Sequence, residues 1–199
     1  ARELARISQE VRDCLHELDT LGKRHGGLHA ASGTLPSGGG ESVRLAVMGI
    51  ILASKGLPEA LPQAQFCLWL RKNGIFDQVK KSVENAGKNF FDELHDLYVS
   101  PLLAKAVLDA DPDFAADLKI ARAALRTQFP VVDDIKDSEM IRLIREVLSN
   151  DGQLSYTVLV LDEIQLFIGQ DSDRSKAVQD LAECICKQLA CRVLLKIGR

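Results

Sequence analysis

The sequence has no long hydrophobic run and no strong excess of charge of either sign. No apolar stretch approaches the roughly 18 residues that a membrane-spanning helix needs, and the first residues lack the apolar core of a signal peptide. We therefore expect no membrane segment and a cytoplasmic protein. The net charge is −3 at pH 7, which gives no electrostatic reason to expect a nucleic-acid-binding surface over the whole chain.

Cysteine is too scattered to indicate a metal site. The cysteines are Cys14, Cys67, Cys184, Cys186 and Cys191. Their number is odd and their spacing is not that of a zinc ribbon. On a helix, the sulfurs of Cys184 and Cys186 would point about 200° apart, because a helical turn takes 3.6 residues. We therefore expect core thiols and no bound metal at this pair.

The glycine-rich segment 26–40 lacks the residues of a phosphate-binding loop. A Walker A loop has the pattern G-x-x-x-x-G-K-[ST], in which the lysine binds phosphate and the hydroxyl binds the metal. Here Gly38-Gly39-Gly40-Glu41-Ser42 has an acid near the critical position and no lysine. The segment is predicted to be a short strand followed by a mobile loop or a surface for a partner. Any Walker A loop is expected before Ala1, in a longer parent protein.

The apolar run over residues 156–161 predicts a buried strand. Two carboxylates, Asp162 and Glu163, follow it directly. A continuous apolar run is typical of a central strand in a parallel sheet that is covered on both faces. An apolar strand that ends in Asp-Glu is the Walker B pattern, in which the Asp helps to hold Mg²⁺ and the Glu polarises the water that attacks the γ-phosphate. The alternative is that the two acids merely end the strand and begin a turn.

Most of the remaining chain has apolar residues at steps of three and four, which predicts amphipathic helices. Pro101 should split or kink one of these helices, Asp137 is a predicted N-cap, and either Asp171 or Ser172 should cap the last helix. A last strand is predicted over 192–197. A basic cluster, Arg71 with Lys72, Lys80 and Lys81, indicates either a solvated helix face or a DNA contact. The helices are predicted over 2–21, 41–54, 59–73, 75–86, 88–110, 113–128, 137–149 and from 172 onward.

Short motifs along almost the whole chain, in order, carry a family resemblance. They are His25-Gly26-Gly27, Gly33-Thr34-Leu35-Pro36, Val43-Arg44-Leu45-Ala46, Gly56-Leu57-Pro58, Trp69-Leu70, Tyr98-Val99-Ser100-Pro101, Gln128-Phe129-Pro130, Leu161-Asp162-Glu163-Ile164-Gln165, Ile168-Gly169 and Asp173-Arg174. With these motifs the chain resembles the large P-loop ATPase of bacterial BREX anti-phage systems, the BrxC or PglY type.

The resemblance implies an α/β fold: a partial P-loop NTPase core of the ASCE or AAA+ kind, with parallel strands and a large, mostly helical insertion. Residues 1–40 would be the first part of the ATPase core, 41–130 the insertion, and 131–199 the Walker B half. The implied intact protein is a cytoplasmic ATPase that binds ATP and Mg²⁺ and acts with other BREX components against phage DNA. Its oligomeric state and any direct contact with DNA are left open.

The resemblance also assigns the residues of the site. Asp162 would be the metal ligand and a cofactor-binding residue, Glu163 the catalytic base, and Gln165 a second cofactor-binding residue. Arg174 is expected to be a solvated or capping arginine. The chain departs from the family in lacking a Walker A loop and a polar sensor in the tail 196–199, so it is expected to be an inactive fragment or a truncated relative. The alternative is a non-enzymatic helical module that binds protein or DNA.

Overall fold

The computed structural model describes residues 9–24, 26–36 and 42–197, which form an α/β protein that is mostly helical. A short 3₁₀ turn follows α5, and β2 and β3 are two-residue strands of a small hairpin. The described elements in chain order are α1 (Gln9–Arg24), β1 (Leu28–Thr34), α2 (Val43–Ser54), α3 (Leu61–Lys72), α4 (Phe76–Asn85), α5 (Phe90–Glu93), α6 (Pro101–Ala110), α7 (Leu118–Gln128), α8 (Asp137–Leu148), β2 (Ser149–Asn150), β3 (Gln153–Leu154), β4 (Tyr156–Asp162), α9 (Ile164–Ile168), α10 (Ser172–Gln188) and β5 (Val193–Ile197).

The main sheet has three parallel strands in the order β1-β4-β5. Leu159 in the central strand lies between Ala31 of β1 and Leu195 of β5. The predicted central, parallel position of this strand is therefore confirmed. Because all three strands run the same way, their carboxyl ends lie at one edge of the sheet, where β4 ends at Asp162.

One face of this sheet is buried and the other is exposed. Leu159 and Leu161 are fully buried, whereas Tyr156, Val158 and Leu194 on the other face are 36%, 41% and 58% exposed. The prediction that both faces are covered is therefore wrong for the described part of the chain. An apolar run shows that the side chains on both faces of a strand are suited to burial. It does not show whether the same chain has helices that pack on each of the two sheet faces.

The buried face is covered by a layer that contains α2, α8 and α10. A close approach occurs at Gly33 of β1, where a Cβ atom would lie 2.7 Å from Cγ1 of Ile50 on α2. A glycine is therefore required for α2 to pack this closely. On the same face, a hydrogen bond of 2.9 Å joins Nε2 of His29 to Oγ of Ser54, and burial lowers the pKa of His29.

The chain divides into two compact units. The first contains the residues up to Lys55 together with those from Asp133 onward, and the second contains 56–132. The second unit begins later than the helical insertion that was predicted over 41–130. The difference is α2, whose residues belong with the sheet because they pack on β1.

Aromatic side chains form much of the core of the helical unit. The ring of Phe66 lies 5.6 Å from that of Phe129 and 6.1 Å from that of Trp69, between ring centroids. Phe66 and Phe90 are fully buried. Most of these aromatic residues therefore pack in or against the core, as the pattern predicts, although Phe91 is 38% exposed.

Several predicted helix boundaries are confirmed and others are corrected. Pro101 starts a new helix, and Asp171 caps α10 by accepting hydrogen bonds from two backbone N–H groups. The predicted helix 113–128 begins only at Leu118, because the Asp117 carboxylate caps it there. Asp137 is the first residue of α8 and not its cap, and its carboxylate instead accepts a hydrogen bond of 2.6 Å from Nε of Arg44. No helix in the described ranges is long and apolar enough to cross a membrane.

The difference between the two sheet faces predicts different costs for two truncations in β4. Leu159→Ala should lower the free energy of unfolding by about 2–5 kcal/mol, because it leaves a cavity in the core. Val158→Ala, on the exposed face, should change it by no more than about 1 kcal/mol. Urea denaturation of both variants measures the difference, and equal losses would mean that the second face is also covered.

Candidate functional site

Asp162 and Glu163 lie at the carboxyl edge of the sheet, at the end of its central strand. Asp162 is the last residue of β4 and pairs in register with Thr34, the last residue of β1. All three side chains are exposed. Since paired residues project to the same side of a sheet, Asp162 and Thr34 lie on the face that the described helices leave uncovered. A carboxylate and a hydroxyl are thus placed side by side at the edge where α/β proteins bind ligands.

The backbone turns sharply at Glu163. Its φ and ψ are 52° and 30°, the left-handed conformation, and α9 begins at the next residue. Asp162 Oδ1 accepts a hydrogen bond of 2.9 Å from the Glu163 N–H, which fixes the Asp162 carboxylate against the turn. A left-handed residue other than glycine costs about 1–2 kcal/mol. Strain of this kind concentrates at functional sites.

Neither carboxylate is neutralised by a described cation. No salt bridge between residues of the described ranges includes Asp162 or Glu163. Two adjacent acids without a partner are electrostatically unfavourable unless water or a bound cation stabilises them. The pair is therefore not held in place by ion pairing with the described residues.

The site suits a cation that takes most of its ligands from water and a bound substrate, and few from the protein. Among the described residues, no group of three or more His, Cys, Asp or Glu side chains is arranged to hold a metal ion. Mg²⁺ normally keeps several waters and binds one or two protein carboxylates together with substrate phosphates. One exposed carboxylate beside a hydroxyl fits that donor set, whereas it would not fit a structural zinc site.

Gln165 and Arg174 have different surroundings. Gln165 lies on α9 with its side chain exposed. Arg174 donates a hydrogen bond of 2.9 Å to the carbonyl oxygen of Phe167 and lies 3.5 Å from the Asp171 carboxylate. Its guanidinium also stands 5.5 Å from the centre of the Phe167 ring. Arg174 therefore joins the short α9 to the start of α10, which agrees with the expected capping arginine.

The basic cluster of the helical unit is partly occupied by internal contacts. The Arg71 guanidinium lies 5.0 Å from the centre of the Phe76 ring. Nζ of Lys80 lies 5.8 Å from the centre of the Phe91 ring and 3.8 Å from a Glu84 carboxylate oxygen. These contacts favour a solvated helix face for the cluster over a surface free to bind phosphates.

Two arrangements in the sheet-containing unit have no signal in the sequence, because their members are far apart or irregularly spaced. Arg44 on α2 binds Asp134 and Asp137 at 3.0 and 2.6 Å, and its hydrogen bond to Asp137 raises the pKa of Arg44. A cleft of about 400 Å³ lies near the amino ends of the strands, away from Asp162, and its lining includes Arg24, Arg145 and Arg192.

The fold and the site define a class of protein without identifying a family. The chain is an α/β protein with a three-stranded parallel sheet, and two exposed carboxylates follow its central strand. In comparisons with protein families, with curated proteins and with solved structures, no match to this chain was found.

The strained turn predicts that Glu163 does not stabilise the folded protein. Glu163→Gly should raise the free energy of unfolding by up to about 1 kcal/mol, because relief of the left-handed strain exceeds the extra entropy of glycine in the unfolded chain. Glu163→Ala removes the same carboxylate but keeps the strain, so it should give no such gain. Thermal and urea denaturation compare the two, and a clear loss of stability in Glu163→Gly would contradict this account of the turn.

Proposed function

We propose that this chain is the Walker B half of a P-loop ATPase whose activity depends on ATP and Mg²⁺. The observation that carries the proposal is the position of Asp162 and Glu163, exposed and without a described salt bridge, after the central strand of a parallel sheet. Both the chemical character of the pair and its place at the sheet edge fit the Walker B pattern.

In this proposal the two acids have separate roles. Asp162 contributes a carboxylate oxygen to the binding of Mg²⁺; its Oδ1 is oriented by the Glu163 N–H, and Oδ2 accepts no described hydrogen bond. Glu163, whose side chain is exposed at the left-handed turn, accepts a proton from the attacking water. When bound, Mg²⁺ neutralises charge that develops on the phosphate oxygens. Gln165 is the further residue proposed to contact the nucleotide.

The uncovered sheet face supports a larger core in the intact protein. Parallel sheets normally have both faces covered, whereas β4 and β5 expose Tyr156, Val158 and Leu194 on one face. A P-loop ATPase needs a Walker A loop, which supplies most contacts to the phosphates through backbone N–H groups and a lysine. We propose that the parent protein supplies both the missing cover and this loop, so that the present chain alone binds Mg-ATP poorly.

The family resemblance extends the proposal to phage defence. The intact protein would then act in the cytoplasm as part of a bacterial BREX system, with ATP and other BREX components as its partners and phage DNA as the target of the system. The contacts of Arg71 and Lys80 with aromatic rings make the basic cluster of the helical unit a poor candidate for a direct DNA contact. The partial ASCE or AAA+ core is likewise proposed on the resemblance.

Substitution of the two acids in the intact parent protein tests the proposed roles. Glu163→Gln should lower the rate of ATP hydrolysis by about 10²–10⁴-fold while ATP binding persists, because it removes only the general base. Asp162→Asn should weaken the Mg²⁺ dependence of both binding and turnover. The measurements are steady-state phosphate release and binding of a fluorescent ATP analogue at several Mg²⁺ concentrations.

Asp151→Asn is the matched control for these substitutions. Asp151 is also an exposed acid with a left-handed backbone, at φ 49°, but it lies in the hairpin before β4, near the opposite edge of the sheet. The control should leave turnover unchanged. Unchanged turnover in Glu163→Gln as well would overturn the ATPase proposal and favour a non-enzymatic interaction module in which the acids only end the strand.

A further inference from the structure

The connection between α10 and β5 brings two cysteines into contact. Cys186 lies in the last turn of α10, and Cys191 lies in the turn that precedes β5. Their Sγ atoms are 3.1 Å apart, and the Cys191 N–H donates a hydrogen bond of 3.0 Å to the carbonyl oxygen of Cys186. The spacing of the cysteines in the sequence draws attention to Cys184 and Cys186, but the fold pairs Cys186 with Cys191 instead.

The backbone conformation of the turn produces this contact. Ala190 and Cys191 have φ values of 51° and 55°, so two successive residues other than glycine are left-handed. This conformation is unfavourable for both residues and persists only where surrounding structure imposes it. Here it folds the chain back at the end of α10 so that Cys191 reaches Cys186.

Both thiols are accessible to a small reagent. Cys186 and Cys191 are exposed, and so is Cys14, whereas Cys67 is buried and Cys184 is only partly exposed. Burial raises the pKa of the Cys67 thiol to about 12, which keeps it inert. A disulfide requires the two sulfurs to approach to about 2.05 Å, so Cys186 and Cys191 need to move about 1 Å closer. Exposed side chains at a helix end can make such a movement by small torsional changes.

We propose that Cys186 and Cys191 form a redox-active dithiol, which low-molecular-weight disulfides such as oxidised glutathione convert reversibly into an intramolecular disulfide. One protein thiol loses its proton and attacks a glutathione sulfur, which releases one glutathione thiolate and leaves a mixed disulfide. The second protein thiol then loses its proton, attacks the protein sulfur of that bond and releases the second glutathione. The protein is oxidised by two electrons, and glutathione disulfide is reduced to two thiols.

The disulfide would fix a segment that borders the arginine-lined cleft. Leu189, Ala190 and Arg192 line this cleft together with Arg145. Arg145 also donates a hydrogen bond to the carbonyl oxygen of Gln188 in the same segment. The redox state of the pair thus acts on the lining of a positively charged cleft, at the end of the sheet opposite to Asp162. The inference is independent of the proposed ATPase activity.

Peptide mapping of the whole chain tests the proposal. The protein is treated with oxidised glutathione, the remaining thiols are alkylated, and the chain is cleaved with trypsin without reduction. Because Lys187 separates the two cysteines, the disulfide joins the peptide 177–187 to the peptide 188–192. We expect this linked pair as the main product and its loss after dithiothreitol. A glutathione adduct on Cys186 or Cys191 without the linked pair would overturn the proposal.

Single serine variants identify which sulfurs are joined, since peptide 177–187 also contains Cys184. Cys184→Ser is the matched control and should keep the linked pair. Cys186→Ser and Cys191→Ser should lose it and retain a mixed disulfide with glutathione on the remaining partner. Cys14→Ser should also keep it, because a bond through Cys14 would instead link the separate tryptic peptide 13–23. Persistence of the linked pair in Cys186→Ser would show that Cys184 is the partner and would contradict the assignment.

Discussion

The pairing of β4 with a parallel strand on each side is the constraint on which the rest of the structure depends. The backbone of β4 forms hydrogen bonds with a neighbouring strand at each of its edges, β1 on one side and β5 on the other. Parallel neighbours cannot be joined by a tight hairpin, so each connection must return the chain to the starting edge of the sheet. The connection from β1 to β4 contains α2, the helical unit and α8, and the one from β4 to β5 contains α9 and α10. The strand order thus requires long return connections, and the sequence patterns of these connections make them helical.

The same strand order determines where Asp162 and Glu163 lie. Because β4 ends in the middle of the carboxyl edge, its last residue, Asp162, is flanked by the end of β1. The chain must then leave the sheet at once, and the left-handed Glu163 makes that turn possible. Arg174 stabilises the exit by joining α9 to α10. At the turn itself, the Asp162 carboxylate accepts a hydrogen bond from the Glu163 N–H, and no described salt bridge includes Glu163. Glu163 shares its left-handed backbone with Asp151, another exposed acid, so its position after the central strand distinguishes it and the strain does not.

The two ends of the sheet differ in chemistry. The carboxyl edge carries exposed acids, whereas the cleft near the amino ends of the strands is lined by arginines and bordered by the Cys186–Cys191 turn. A strand of seven residues is roughly 23 Å long, so the two regions are separated by about the length of β4. Between them lies the sheet face that the described helices leave exposed, which carries the apolar side chains of Tyr156, Val158 and Leu194.

Sequence alone determined the periodic features. The amphipathic spacing gave most helices, the apolar run gave the central strand, and Asp162 and Glu163 followed as its terminal acids, because each of these signals is local. The start of α7 and the role of Asp137 were missed, since capping by Asp117 and ion pairing with Arg44 depend on which of several acids meets a partner. Only the tertiary structure decided that the described helices cover one sheet face and not the other, that Arg44 meets Asp134, and that Cys191 meets Cys186. These outcomes depend on backbone turns and on contacts between residues far apart in the sequence. Neither turns nor such contacts produce a periodic pattern in the sequence.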